Sequence, residues 1–168
     1  GDPTTSLDAE RIVAAGVPAV QINTDGGCHL EARMIQAALA QLIEPADVFI
    51  IENVGNLLCP TGWDLGEDAK VVVASLPEGD DKPLKYPSAF ATAQAVVVNK
   101  IDLEPYLPAR AETMRANALR INGSLAVFAV SCSGKKSDVP DGMKLASDPK
   151  SASYTLYVPE DWTVDVQN

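Results

Sequence analysis

Asn99-Lys100-Ile101-Asp102 is the segment whose residue types and order carry the clearest chemistry. It directly follows an apolar run over residues 95–98. A carboxylate at Asp102 can accept two N–H bonds from the edge of a guanine ring, and adenine offers no equivalent pair. Asn99 and the stem of Lys100 would brace the ring and its neighbouring loops. The carboxyl end of a buried parallel strand is where α/β sheets bind ligands. A plain polar turn between strand and helix is the alternative for so short a string. One strand further on, Ser131-Cys132-Ser133-Gly134 ends the run 125–130. A polar turn in that place could close a base pocket. An ordinary Ser-Gly turn accounts for it as well.

Two further groups could do chemistry. Glu52-Asn53-Val54-Gly55 follows the apolar run 48–51. Glu52 could hold Mg²⁺ through water, and Gly55 could bring its N–H close to a terminal phosphate. Asp2 could help position Mg²⁺ or an attacking water. Cys28 and His29 are adjacent, with Cys59 in a later loop, and thiolate with imidazole suits Zn²⁺ or Ni²⁺. His29 is the sole histidine, so one chain cannot easily complete a site. A two-fold dimer would complete it, each subunit supplying two or three ligands. Inert cysteines and a surface histidine are the alternative.

Elements must position these residues. Residues 7–15 have helical spacing, with Thr5 as a cap and Gly16 as the stop. Residues 18–22 read as a strand and 28–42 as a helix. Runs 48–51, 71–74, 95–98 and 125–130 read as strands covered on both faces. Residues 76–83 read as loop. Residues 108–121 read as a helix started by Pro108 and stopped by Asn122-Gly123. Strands alternating with helices predict a mainly parallel α/β sheet in three layers. After Ser133 that rhythm ends: residues 134–150 are polar, and 154–158 and 162–166 alternate weakly like edge or hairpin strands. The expected division is an α/β portion over residues 1–133 and a divergent tail over 134–168.

Composition agrees with one soluble α/β domain: 168 residues, 46% hydrophobic, 21% charged and only 5% aromatic. No apolar run reaches the roughly 20 residues that cross a bilayer. With no export signal, a cytoplasmic location is expected. The net charge of −10 and the lack of a Lys/Arg cluster argue against nucleic acid and anionic membrane as partners. Three cysteines without an export signal point to free or metal-bound thiols.

Read together, several strings resemble the GTPase domain of the HypB family, the hydrogenase/urease nickel-incorporation factors. They are Gly1-Asp2 with Asp8-Ala9-Glu10-Arg11-Ile12, Val20-Gln21-Ile22-Asn23-Thr24 with Gly27-Cys28-His29-Leu30, and Ile51-Glu52-Asn53-Val54-Gly55-Asn56-Leu57 with Cys59-Pro60. Asp64-Leu65-Gly66-Glu67-Asp68, the run from Glu78 to Pro87, and Asn99-Lys100-Ile101-Asp102-Leu103 complete the set. The resemblance covers residues 1–133. It implies a P-loop GTPase fold of the SIMIBI type that forms a homodimer around nucleotide. It implies GTP/GDP and Mg²⁺ as ligands, with hydrogenase maturation factors and the hydrogenase large subunit as partners. It also implies a Ni²⁺ or Zn²⁺ site at the dimer interface on Cys28, His29 and Cys59. Base recognition carries to Asn99, Lys100 and Asp102, with Ser131 and Cys132 in the closing loop. Mg²⁺ and phosphate sensing carry to Asp2, Glu52 and Gly55.

Three features depart from the family. No Gly-x-x-x-x-Gly-Lys-Ser/Thr string occurs in the sequence; it would belong upstream of Gly1, together with a first strand and first helix. The cysteine-rich nickel motif of some members is absent, and residues 135–168 do not resemble the family's closing helix. The backbone amides and Lys of the phosphate loop carry most of the attraction for a triphosphate. The chain is therefore expected to be a truncated GTPase with impaired nucleotide binding. The alternatives are a non-hydrolysing Ni/Zn-binding module that docks on hydrogenase maturation partners, and a urease-accessory-type GTPase.

Overall fold

The described residues of Gly1–Asp68, one of two compact units, form turns, two short α-helices and a 3-10 turn rather than strands; the other unit is Ala69–Asn168. The structure is a computed structural model that describes residue 1, residues 6–42 and 46–131, and the backbone of residues 143–146 and 155–159. In the first unit α1 spans Leu7–Ala14, with Asp8 in its first turn. Ser6 occupies the cap position but donates its hydroxyl to Glu10 Oε1 at 2.6 Å instead of capping the backbone. The expected cap, Thr5, lies outside the described residues. Gly16, at φ 86°, ends the helix in the left-handed conformation that glycine adopts without strain.

Helix α2 spans Ala32–Leu39, shorter than the expected 28–42. The cause is local competition: the Leu30 N–H donates to the Asn53 side chain at 3.0 Å. The residues from Cys28 to Glu31 therefore belong to a turn tied to the 53–56 loop. Leu30 and Ile35 are the buried apolar residues of this unit. The strands expected over 18–22 and 48–51 do not form among the described residues. Val48 is 73% and Ile50 90% exposed. An apolar run becomes a strand only when its backbone N–H and C=O groups find a ladder partner, and these runs have none.

The second unit keeps the expected rhythm. Strand β1 is Val71–Ser75, β2 is Ala95–Asn99 and β3 is Ala126–Ser131. They pair in parallel, Val72 with Val96 and Val96 with Val127. The connections are helical, as parallel pairing requires. A 3-10 turn over Leu76–Glu78, α3 (Lys82–Lys85) and α4 (Pro87–Thr92) join β1 to β2. The loop expected over 76–83 is thus partly helical. Ion pairs Glu78–Lys82 and Asp81–Lys85, each at i,i+4, and the burial of Pro83 support these short segments.

A 3-10 stretch over Ile101–Tyr106 and α5 (Ala111–Ile121) join β2 to β3. Helix α5 starts after Pro108, with Arg110 at its cap, because the Arg110 N–H is taken by Asp80 Oδ2 at 2.9 Å. Asn122 ends it, donating to the Ala93 carbonyl at 3.1 Å. Val72, Val96, Val98, Val127 and Ala129 face a core filled by Phe90, Met114, Ala118 and Leu76. Opposite them on β1, Val71 and Val73 are exposed, so that strand is covered on one face and not on both. Two further strands, β4 (Met143–Ala146) and β5 (Thr155–Pro159), extend the sheet in antiparallel fashion, giving the order β1-β2-β3-β5-β4. The edge or hairpin strand expected over 154–158 forms as β5, but it lies inside the sheet between β3 and β4, and β4 takes the edge; residues 162–166 lie outside the described residues. Among the described residues no helix is long and apolar enough to cross a membrane.

Candidate functional site

In the first unit the turn before Cys28 is built by Asp25 and Gly26, both at positive φ, with the Gly27 N–H on the Thr24 carbonyl at 2.9 Å. That is the mirror-image turn an Asp-Gly pair favours. It delivers Cys28 and His29 side by side, with Cys28 Sγ 3.7 Å from His29 Nδ1. The His29 ring stacks on Trp63, centroids 4.3 Å apart and planes 11° from parallel. Cys59 begins a 3-10 turn, Cys59–Gly62, in which Pro60 suits the first position. Its thiol neighbours that of Cys28. That contact pushes the Cys59 thiol above its ordinary range, with desolvation adding to it. Both cysteines are free thiols. Cys28 thus neighbours both other candidate ligands, yet no group of three His, Cys, Asp or Glu side chains gathers tightly enough to hold an ion among the described residues.

Asn53 and Asn56, which sequence reasoning did not single out, tie these segments together. Asn53 Oδ1 accepts from the Leu30 and Val54 amides at 3.0 and 2.8 Å. Asn56 donates to the Cys28 carbonyl at 2.7 Å and accepts from the Leu58 and Cys59 amides at 3.0 and 2.8 Å. Just before them, Glu52 is exposed and its carbonyl accepts from the Gly1 amino group. Gly55 is exposed, and a Cβ built on it would meet nothing within 4 Å. The folded chain itself does not require glycine there. Asp2 and Cys132 lie outside the described residues.

In the second unit β2 ends at Asn99, whose Oδ1 accepts from the Lys100 amide at 2.8 Å. Lys100 adopts the left-handed conformation, φ 61°, which turns the chain sharply into the 3-10 stretch carrying Asp102. A lysine at positive φ is uncommon, so this loop is held by its surroundings rather than by local preference. Asp102 Oδ1 is buried with no hydrogen-bond partner among the described residues. Ser75 Oγ, one strand away and in register with Asn99, is in the same condition. Ser131 is fully buried at the end of β3. An unpaired buried acceptor costs stability unless something donates to it.

Residues 2–129 match the family described as the CobW/HypB/UreG nucleotide-binding domain. The chain belongs to this family. It is 52% identical over 132 residues to the hydrogenase maturation factor HypB of Rhizobium leguminosarum bv. viciae, covering 78% of this chain and 44% of that protein. It is 48% identical to the Escherichia coli K12 HypB, covering 78% and 46%. Among solved structures it resembles HypB from Helicobacter pylori in complex with nickel, at TM-score 0.75 and 41% identity, covering 78% of this chain and 63% of that one. HypB from Archaeoglobus fulgidus gives TM-score 0.73 at 39% identity, covering 81% and 66%.

The CobW/HypB/UreG assignment and the likeness to HypB structures bear out the expected α/β P-loop NTPase fold. The chain spans less than half the length of the R. leguminosarum and E. coli relatives.

Proposed function

We propose that this chain takes part in hydrogenase maturation as a portion of a HypB-type factor that binds guanine nucleotide and handles nickel. The observation that carries the nucleotide half is the buried, unpaired Oδ1 of Asp102 at the carboxyl end of β2. Guanine offers two adjacent N–H donors, and a carboxylate accepts both. Asn99, whose side chain already shapes the Lys100 turn, and Lys100 would hold the loop against the ring, with Ser131 and Cys132 closing the pocket. Glu52 and Asp2 would hold Mg²⁺, which neutralises phosphate charge, and Gly55 would allow a close backbone approach to phosphate.

The same reading assigns Cys28, His29 and Cys59 to the nickel or zinc cargo. Thiolate and imidazole are the donors such ions prefer. Among the described residues no three ligands gather around an ion, and a homodimer would bring a second set to a shared site. Hydrogenase maturation factors and the hydrogenase large subunit would be the partners. The H. pylori relative is named a hydrogenase/urease maturation factor, so urease is a second client class. Because the sequence contains no phosphate-loop string, GTP hydrolysis belongs to the family's complete nucleotide site. This chain alone is expected to bind GTP weakly. A metal-binding module without hydrolysis is the second reading, favoured by the Cys28–His29–Cys59 neighbourhood, which needs no phosphate loop.

The test is base selection. In saturation-transfer NMR with millimolar nucleoside diphosphates, the chain should prefer GDP over ADP by at least about tenfold, the discrimination that unpaired buried polar groups impose. Asp102→Asn should shift preference toward xanthosine diphosphate, whose ring presents a carbonyl where guanine presents an amine. Equal binding of GDP and ADP would remove the guanine reading.

A further inference from the structure

We infer that Asn56 is a positioning residue that sets the gap between the Cys28 and Cys59 thiols. Its carboxamide uses both ends. The amide group donates to the Cys28 carbonyl at 2.7 Å, across 28 positions of sequence. The oxygen accepts from the Leu58 and Cys59 amides, 3.0 and 2.8 Å away. One side chain therefore grips the backbone of both cysteine-bearing segments. The His29–Trp63 stack also joins the two segments, but through side chains and without gripping either backbone; Asn53 reaches Leu30, two residues past Cys28, and makes no bond to the Cys59 segment. Pro60 and the Thr61 hydroxyl, which donates to the Leu58 carbonyl at 2.7 Å, shape the Cys59 turn without reaching Cys28.

An asparagine suits this task because it offers donor and acceptor on one short, planar group. Aspartate could keep the two contacts to the Leu58 and Cys59 amides but would present only acceptors to the Cys28 carbonyl. Alanine would release both segments. A metal needs its ligands held at fixed separations, and groups that orient ligands from behind typically change metal affinity by about 10–100-fold when removed. Asn56 touches no thiol itself; it acts by holding the two turns that present them. This role presupposes that Cys28 and Cys59 hold the metal.

Two measurements on the full chain, in a Cys132→Ser background, separate the positioning role from the metal reading. The first is the rate at which oxidised glutathione closes a Cys28–Cys59 disulfide in metal-free protein. The two thiols give up two electrons and two protons, and glutathione leaves as two molecules of reduced thiol. The second is Ni²⁺ affinity by competition with a chromophoric chelator. Asn56→Ala should slow disulfide closure and weaken Ni²⁺ binding, each by about tenfold or more, while the thermal midpoint of unfolding changes little. Asn56→Asp should still slow closure, and it serves as the readout if the alanine variant does not fold. Disulfide closure and Ni²⁺ affinity both at wild-type values would overturn the positioning role. Wild-type protein that binds no Ni²⁺, but whose disulfide closure still depends on Asn56, would sink the metal reading and leave the clamp on the thiols standing.

Discussion

Asp102→Ala removes a carboxylate oxygen that is buried and meets no donor among the described residues. Burying a polar atom unpaired costs about 1–3 kcal/mol. Asp102 as a residue is only half-buried, which places the effect near the lower bound. Deleting the side chain should therefore stabilise the nucleotide-free chain by about 1 kcal/mol, seen as a rise of about 2–4 °C in Tm for a chain of this length. The same change deletes the oxygen proposed to accept from the base. Wild-type protein should melt higher in millimolar GDP, because a ligand that binds only the folded state adds stability. The variant should not respond. Thermal unfolding followed by circular dichroism, with and without GDP, reads both effects. A variant that melts at or below the wild type without nucleotide would show that Oδ1 has a partner in the folded chain. The oxygen would then no longer mark a ligand site.

Three other outcomes follow from the geometry. Gly79→Ala should destabilise by about 1–2 kcal/mol in urea titration, because φ is 103° and the new Cβ would lie 2.8 Å from Asp81 Oδ1; an unchanged midpoint would contradict it. In metal-free protein Cys28→Ala should speed alkylation of Cys59 at mildly alkaline pH. The Cys28 contact is the main cause holding the Cys59 thiol up, and the thiolate is the nucleophile. The Asp81–Lys85 pair lowers the Asp81 carboxyl below its ordinary 3.8 and raises Lys85 above its ordinary 10.5. Its contribution is present between those values. It is lost as pH falls through the lowered Asp81 pKa, and again as pH rises through the raised Lys85 pKa. Asp81→Asn should therefore differ from wild type in urea titration at neutral pH, and the difference should shrink as pH falls below the ordinary carboxylate value of 3.8.

Much of the second unit was legible because its segments carry their instructions locally. Residues 71–74, 95–98 and 125–130 are Val- and Ala-rich runs bounded by turn residues, and each became a strand at nearly the expected bounds. The stop at Asn122-Gly123 was equally plain. The same apolar signal misled over residues 18–22 and 48–51. Hydropathy announces a wish for burial, but a strand also needs a neighbour for its backbone, and the described residues supply none. Short helices over Lys82–Lys85 and Pro87–Thr92 escaped notice because one or two turns cannot display helical periodicity. Their stability comes from ion pairs and from burying Ala89 and Phe90.

The candidate site divides along the same line. Residue type and order alone proposed Asn99, Lys100 and Asp102, and Cys28, His29 and Cys59, because base edges and soft metals accept few donor sets. Sequence also determined that the string for a phosphate loop is not among these residues. The tertiary structure alone decided that Cys28 and Cys59 are neighbours, that Trp63 stacks on His29, and that Asn56 binds both thiol-bearing turns. It also decided that Asp102 and Ser75 bury polar atoms without partners among the described residues. Each is a contact between residues distant along the chain or a balance of burial against bonding. Such contacts depend on how many segments fold at once, and no single stretch of sequence encodes them.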